Sequence, residues 1–198
     1  MTCLEKQEVL GEHNKFRRQL AISMVPVQPN AANLAEMVWD EELADIAQRW
    51  ADQCIFASDE NRQVDRFLVG QNVYQSSQSP GNDDVTSNFS EATKSWFNEY
   101  FYFSSTKIDP FVFVPAAAHY TQLEWAKSWA LGCRFTVYDE GTTTKKLYIC
   151  NYGPTGNVAG ESMYKMGPPN CPYYGMEPSL NYTGLCVVTD TNPPGIEC

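Results

Sequence analysis

The chain has 198 residues, is 43% hydrophobic and 13% aromatic, and carries a formal charge of −10. That length suits one domain with an appendage, able to bury roughly 70% of its unfolded surface, and the composition excludes a disordered chain. The acidic balance speaks against nucleic acid as a partner and against electrostatic docking on anionic membranes, and no run of about 18 apolar residues exists to cross a bilayer.

Residues Leu4 to Ala21 read as a helix with Val9, Leu10, His13, Arg17, Leu20 and Ala21 along one side. His13 is read there as an architectural imidazole bonded to backbone, with no chemistry assigned. Residues 22–38, broken by Pro26 and Pro29, form an irregular connection. Asp40 then caps a second helix, with Glu41 and Glu42 favourably placed in its first turn. Leu43, Ile46, Ala47, Trp50, Ala51 and Cys54 recur at helical spacing on one apolar face. The polar stretch 57–69 reads as a surface loop, and Ser76 to Asn88, rich in Ser, Gly, Pro and Asp, as a second one.

A third helix begins near Ser87–Ser90, with Phe89, Ala92, Trp96, Tyr100 and Phe103 as its apolar stripe. Glu99 falls on the margin of that stripe, where a carboxylate facing aromatic rings needs a histidine, hydroxyl or amide partner. Pro110 and Pro115 break any helix between Ser104 and Ala118, leaving Ile108, Phe111, Val112, Phe113 and Val114 on a loop. Beyond the helix at His119, Cys133, Phe135 and Val137 alternate with Arg134, Thr136 and Tyr138 as a strand. Asp139-Glu140-Gly141 marks a turn, and Leu147 to Tyr152 a return strand. A turn centred between Gly141 and Thr142 sets Cys133 opposite Cys150, at about 4.5–5.5 Å between Cα atoms and within disulfide range.

Past Asn157 the chain becomes a Pro- and Tyr-rich tail, in which Cys171–Cys186 is the expected pair. Seven cysteines without a Cys-x-x-Cys motif read as the disulfide framework of an oxidising compartment, not as a zinc or redox cluster. Met1-Thr2-Cys3 has neither the basic start nor the apolar run of a signal peptide, so extracellular localisation is expected from the cysteines instead. The sequons at Asn88 and Asn181 are expected glycosylation sites. Cys198 is left over in a chain expected to be monomeric, either free or available for a disulfide-linked dimer.

Two blocks carry a family resemblance: Ala118-His119-Tyr120-Thr121-Gln122-Leu123-Glu124-Trp125, and Tyr148-Ile149-Cys150-Asn151-Tyr152-Gly153-Pro154-Thr155-Gly156-Asn157. With His13-Asn14-x-Phe16-Arg17 and the segment Val38-Trp39-Asp40 through Gln53-Cys54, they resemble the CAP superfamily of cysteine-rich secretory, antigen-five and pathogenesis-related proteins. The likeness is nearest to invertebrate antigen-five-like venom allergens and helminth venom-allergen-like secreted proteins. It implies an α+β fold: an α-β-α sandwich with a central antiparallel sheet, a core over 4–160 and a cysteine-containing extension over 161–198. It places Gly70-Gln71-Asn72-Val73-Tyr74 on the way into a central strand, and it implies a Cys3–Cys54 disulfide.

The family's cleft of two histidines and two acids maps onto Ser58, Gln71, Glu99 and His119, of which only Glu99 and His119 keep the family's residue types. Some members hold zinc through the two cleft histidines. One imidazole and one carboxylate make a poor zinc site, so neither a metal nor another cofactor is expected. Ser58, His119 and Glu99 supply the residue types of a hydrolase, but no Gly-x-Ser-x-Gly elbow or oxyanion segment accompanies them, and a non-enzymatic protein is expected. The resemblance implies carriage of a fatty acid, sterol or eicosanoid in an apolar channel or loop-lined site. Tyr100, Phe103, Ile108, Phe111 and Phe113 are the expected contacts, with Phe111 and Phe113 foremost because a proline-bounded loop is less obliged to pack inward. The alternative is a venom, saliva or parasite effector that binds a host protein.

Overall fold

A computed structural model describes residues 1–78, 84–189 and 196. Helix α1 (Cys3–Ala21) opens on a capping box, in which Thr2 and Glu5 satisfy each other's backbone amides. Strand β1 (Val38–Trp39) leads into α2 (Glu41–Ala51), whose Leu43 amide is capped by the Asp40 carboxylate at 3.0 Å. Strand β2 (Gly70–Gln78), helix α3 (Phe89–Asn98) and the short helix α4 (Ala118–Leu123) follow. The long hairpin β3 (Ala130–Glu140) and β4 (Thr143–Gly153) comes next, and a small hairpin, β5 (Glu177–Pro178) with β6 (Cys186–Val187), closes the tail.

The sheet runs β1-β3-β4-β2. It is antiparallel except at its edge, where two-residue β1 pairs parallel to β3. Alternation along β4 sorts the layers. Leu147 and Ile149 pack with Ala47 and Ala51 of α2 on one face. Tyr148, Cys150 and Tyr152 join Val9, Phe16, Leu20, Phe89 and Trp96 from α1 and α3 on the other. The result is an α-β-α sandwich. Close approach of α2 requires glycine at 132, where a Cβ would stand 2.1 Å from the Ala44 amide nitrogen.

Cys133 pairs with Cys150 in the hairpin register and the two are disulfide-bonded, with Cα atoms 4.2 Å apart; Cys171–Cys186 is bonded as well. The Cys3–Cys54 pairing is not formed: Cys3 is disulfide-bonded elsewhere and Cys54 is a free thiol. Lys6 near the start of α1 pairs with Glu41, at the first turn of α2. Cys54 follows the opposite end of that eleven-residue helix, about 16 Å further along, beyond the ~7 Å a disulfide can span. Cys198 lies outside the described residues.

Three expectations of local structure shift. The apolar stripe of α2 ends at Ala51, and Cys54 sits past it in a left-handed turn with φ 57°. Strand β2 continues through Ser76, Ser77 and Gln78, which pair with Lys146, Lys145 and Thr144, so the expected loop begins later; residues 79–83 of it lie outside the described residues. The proline-bounded loop is packed inward. Ile108 and Phe111 are core residues, held by Met163 N–H to Ile108 O (3.0 Å) and Phe111 N–H to Glu161 O (2.6 Å). The tail is docked similarly: Met163, Tyr164 and Leu185 are fully buried, and the Cys186 and Glu36 amides bind Leu34 O and Cys186 O.

Candidate functional site

Glu99 ends α3 and uses its whole carboxylate on the start of α4. One oxygen accepts the His119 ring Nδ1–H at 2.7 Å; the other accepts the backbone amides of His119 (2.9 Å) and Tyr120 (3.2 Å). Helix α4 has no cap of its own, since its N-cap residue is Ala117, and Glu99 supplies one from a different segment. With Nδ1 committed to Glu99, Nε2 is the ring nitrogen of His119 that this carboxylate does not engage. The ring stacks on Trp96, centroids 6.3 Å apart.

At its other end α4 is met by Arg17, wholly buried on α1. Its guanidinium donates to the carbonyls of Ala35, Leu123, Trp125, Ala126 and Ser128. Burial pulls its pKa down to about 10, with the Glu124 carboxyl opposing the shift. Glu124 is buried with both oxygens unpartnered among the described residues, and burial pushes its pKa up to about 8. His13 fits its architectural reading. Its Nδ1–H donates to Val9 O (2.7 Å), its Nε2 accepts from the Tyr152 hydroxyl (2.9 Å), and burial holds its pKa down to about 4. One of its ring nitrogens lies within 4.8 Å of the Cys133 and Cys150 sulfurs, but the disulfide removes both thiolates as metal ligands.

His119, Gln71 and Ser58 line one cavity of about 400 Å³, together with Arg62, Gly70, Asn72, Phe113, Ala118, Gln122, Thr155, Gly156 and Asn157. Most of its polar wall is already wired. Gln71 accepts from the Asp59 amide and donates to Asn151 Oδ1, both at 2.8 Å, while Asn151 donates to Leu43 O. Asn72 donates to His119 O, and Asn157 to Ala118 O. Gln122 accepts from the Gly156 amide and donates to Ser128 Oγ. The Gln122 side chain passes so close to Gly70 that a Cβ there would lie 1.9 Å from its oxygen. Ser58 is exposed, and its hydroxyl makes no hydrogen bond to His119 or to any other described residue. The three residue types of a hydrolase are present without the nucleophile–base bond.

The cleft does not fit a tetrahedral metal. It offers one imidazole, Glu99 already accepts three N–H donors, and Gln71 is an amide engaged on both sides. Four of the five expected lipid contacts are buried. Tyr100, Phe103, Ile108 and Phe111 belong to the packed core, with Phe111 only 2% exposed and edge-on to Trp125 at 5.0 Å. They are core because the loop folds beneath the aromatic layer. Phe113, 47% exposed, lines the His119 cavity. Apolar hollows occur instead where the tail meets the core. One of about 390 Å³ is walled by Val38, Trp129, Pro178, Leu180 and Val187; one of about 460 Å³ by Ala35, Ala126, Trp129, Tyr174 and Met176; Val188 borders both. Nothing in the periodicity of the tail announces them, and Arg62 sits in a polar stretch with no pattern to mark it. Asn88 and Asn181 are both exposed, Asn88 as the N-cap of α3 and Asn181 on the rim of the first hollow.

A family model described as "CAP: Cysteine-rich secretory protein family" matches residues 10–152. A "CRISP/Allergen/PR-1" protein of Trittame loki is 36% identical over 203 residues, covering 96% of this chain and 50% of its own length. A "Venom allergen 5" of Rhynchium brunneum is 39% identical over 172 residues, covering 83% of this chain and 74% of its own. The chain thus spans about half the length of the first of these relatives. Among solved structures, "Structure of BmVAL-1" superposes with TM-score 0.82 at 27% identity, over 96% of each chain. "Crystal structure of NaASP2 with Zn2+" does so with TM-score 0.69 at 28% identity, over 91% of this chain and 94% of that one.

Proposed function

This chain belongs to the cysteine-rich secretory protein (CAP) family, and on that footing we propose that it is an extracellular, non-enzymatic protein carrying a small hydrophobic ligand. The ligand class is a fatty acid, sterol or eicosanoid, seated in the seam between the tail and the core. The observation that carries this reading is the pair of adjacent apolar hollows sharing Trp129 and Val188, each large enough for part of a drug-sized ligand. The side chains of Tyr100, Phe103, Ile108 and Phe111 are themselves buried members of the hydrophobic core. Fluorescent palmitate and cholesterol analogues, titrated into the purified protein, should bind with saturation. Leu180→Glu, at a fully exposed rim position, should weaken that binding at least tenfold while the fold survives. Failure of both probes to bind refutes carriage; binding that ignores Leu180→Glu places the ligand elsewhere.

A second reading, recognition of a host protein, is favoured by one feature. Phe101, Tyr102, Val112 and Phe113 are all about half exposed or more, and aromatic anchors dominate protein interfaces. No catalytic activity is proposed, since Ser58, His119 and Glu99 do not form a relay.

A further inference from the structure

The cleft that does not suit a metal has chemistry of its own. In a protein with net charge −10, no Asp or Glu lines this cavity, and a guanidinium does. Arg62 donates through Nε to Val69 O (2.8 Å) and through Nη1 to Asp59 O. Both acceptors are neutral carbonyls, and Nη2 has no acceptor among the described residues. The charge is therefore fixed in position by backbone, while no carboxylate among the described residues sits within ion-pairing distance of it. Partial burial pulls its pKa below the ordinary arginine value, with Asp59 opposing the shift. Of the acids beside lining residues, Asp59 accepts the Asn61 amide on one oxygen, and Glu99 accepts three N–H groups.

The remaining polar atoms of the wall can be accounted for one by one. Gln71, Asn72, Gln122, Thr155 and Asn157 spend their hydrogen bonds within the protein. What is left over on these side chains, among the described residues, is the Arg62 Nη2 edge, the Ser58 hydroxyl, His119 Nε2 and one acceptor, Asn72 Oδ1. A fixed guanidinium edge and a free hydroxyl lining one cavity offer donors of the kind that the two oxygens of a carboxylate accept. Phe113, half exposed on the same wall, gives an apolar substituent a face to lie against. From these contacts we infer that the cleft receives a small organic carboxylate, its oxygens on Arg62 and Ser58 and its apolar body against Phe113. This site is separate from the proposed seam and does not depend on it.

The test uses the whole protein and two probes of equal shape, sodium benzoate and benzamide, titrated by calorimetry at constant ionic strength. Benzoate should bind at least about tenfold more tightly than benzamide, the range a charge-assisted hydrogen bond supplies. Arg62→Gln should erase that preference. Phe113→Ser, at a surface position, should weaken benzoate while leaving acetate unchanged. Should Arg62→Gln fail to fold, the benzoate-to-benzamide ratio on the native protein decides by itself. Equal affinity for the two probes, absence of benzoate binding, or stoichiometric zinc held at His119 in competition with benzoate would each overturn the proposal.

Discussion

Glu124 offers the sharpest quantitative test of how this fold is held together. Its carboxyl is buried, both oxygens lack partners among the described residues, and the nearby Arg17 guanidinium is spent on five carbonyls. Burial raises its pKa from 4.5 to about 8, so the folded protein holds a proton that the unfolded chain releases. For a group raised in this way, stability is fully present below the unfolded pKa and is lost as pH climbs toward the folded one. Over the interval from pH 4.5 to 8 that amounts to roughly 4 kcal/mol, and to roughly 3 kcal/mol by pH 7, at about 1.4 kcal/mol per pH unit less the half-titrated ends. Glu124→Gln replaces the neutral acid with a neutral amide of the same shape. Urea unfolding of both proteins from pH 4.5 to 8 should give free energies that coincide at the acid end and diverge steadily above it, with the variant the more stable. The difference between the two curves cancels the other titrating groups, His13 among them. Parallel profiles, or a variant less stable at pH 8, would show that Glu124 is ionised and paired in the folded state and would refute the reasoning.

Two further outcomes follow from single hydrogen-bond networks. Gln71→Glu removes the donor to Asn151 Oδ1, and Asn151 cannot turn to compensate because its amide already serves Leu43 O. Thermal unfolding should show a loss of about 1–3 kcal/mol, and an unchanged melting temperature would mean the amide relay is idle. Cys54→Ser should alter stability by no more than about 0.5 kcal/mol, since Cys54 is a free thiol at a half-buried turn, while abolishing the thiol labelling it accounts for. Labelling that survives Cys54→Ser would show that the reactive thiol lies elsewhere.

Local patterns in the chain carried the parts of this structure that depend on near neighbours. The disulfide between Cys133 and Cys150 follows from where the hairpin turns, because register is fixed once the turn is placed. Glu99 stands out because its helical position puts a charge beside aromatic rings. What the pattern could not reveal was its second role as cap to a helix nearly twenty residues later. The same limit explains the misplaced residues. Proline spacing shows that the stretch around Phe111 is not a helix, but whether such a loop folds under the core is decided by Trp125 and Met163, far along the chain. Cys3 and Cys54 each suit a disulfide by type, and only the length and direction of α2 between them forbids it. Arg62 belongs to no periodic run. It reaches the cleft because Val69 and Asp59 carbonyls fold back around it.

The segment that lines the cleft is also the one least able to stand alone. Helix α4 has six residues, well short of the length at which an isolated helix persists in water. It is held at both ends by side chains from elsewhere: the Glu99 carboxylate on the amides of His119 and Tyr120, the Arg17 guanidinium on the carbonyls of Leu123 and Trp125. Negative charge at the amino end and positive charge at the carboxyl end each oppose the helix dipole with the favourable sign. The orientation of His119 is therefore set by α3 through Glu99 and by α1 through Arg17, not by its own helix. A carboxylate that already accepts three N–H groups in holding a helix end has only one lone-pair site left, on the oxygen bound to the His119 ring. The pair that most resembles catalytic machinery is, on these distances, the bracket that keeps the cleft wall in place, and the cleft's free chemistry passes to Arg62 opposite.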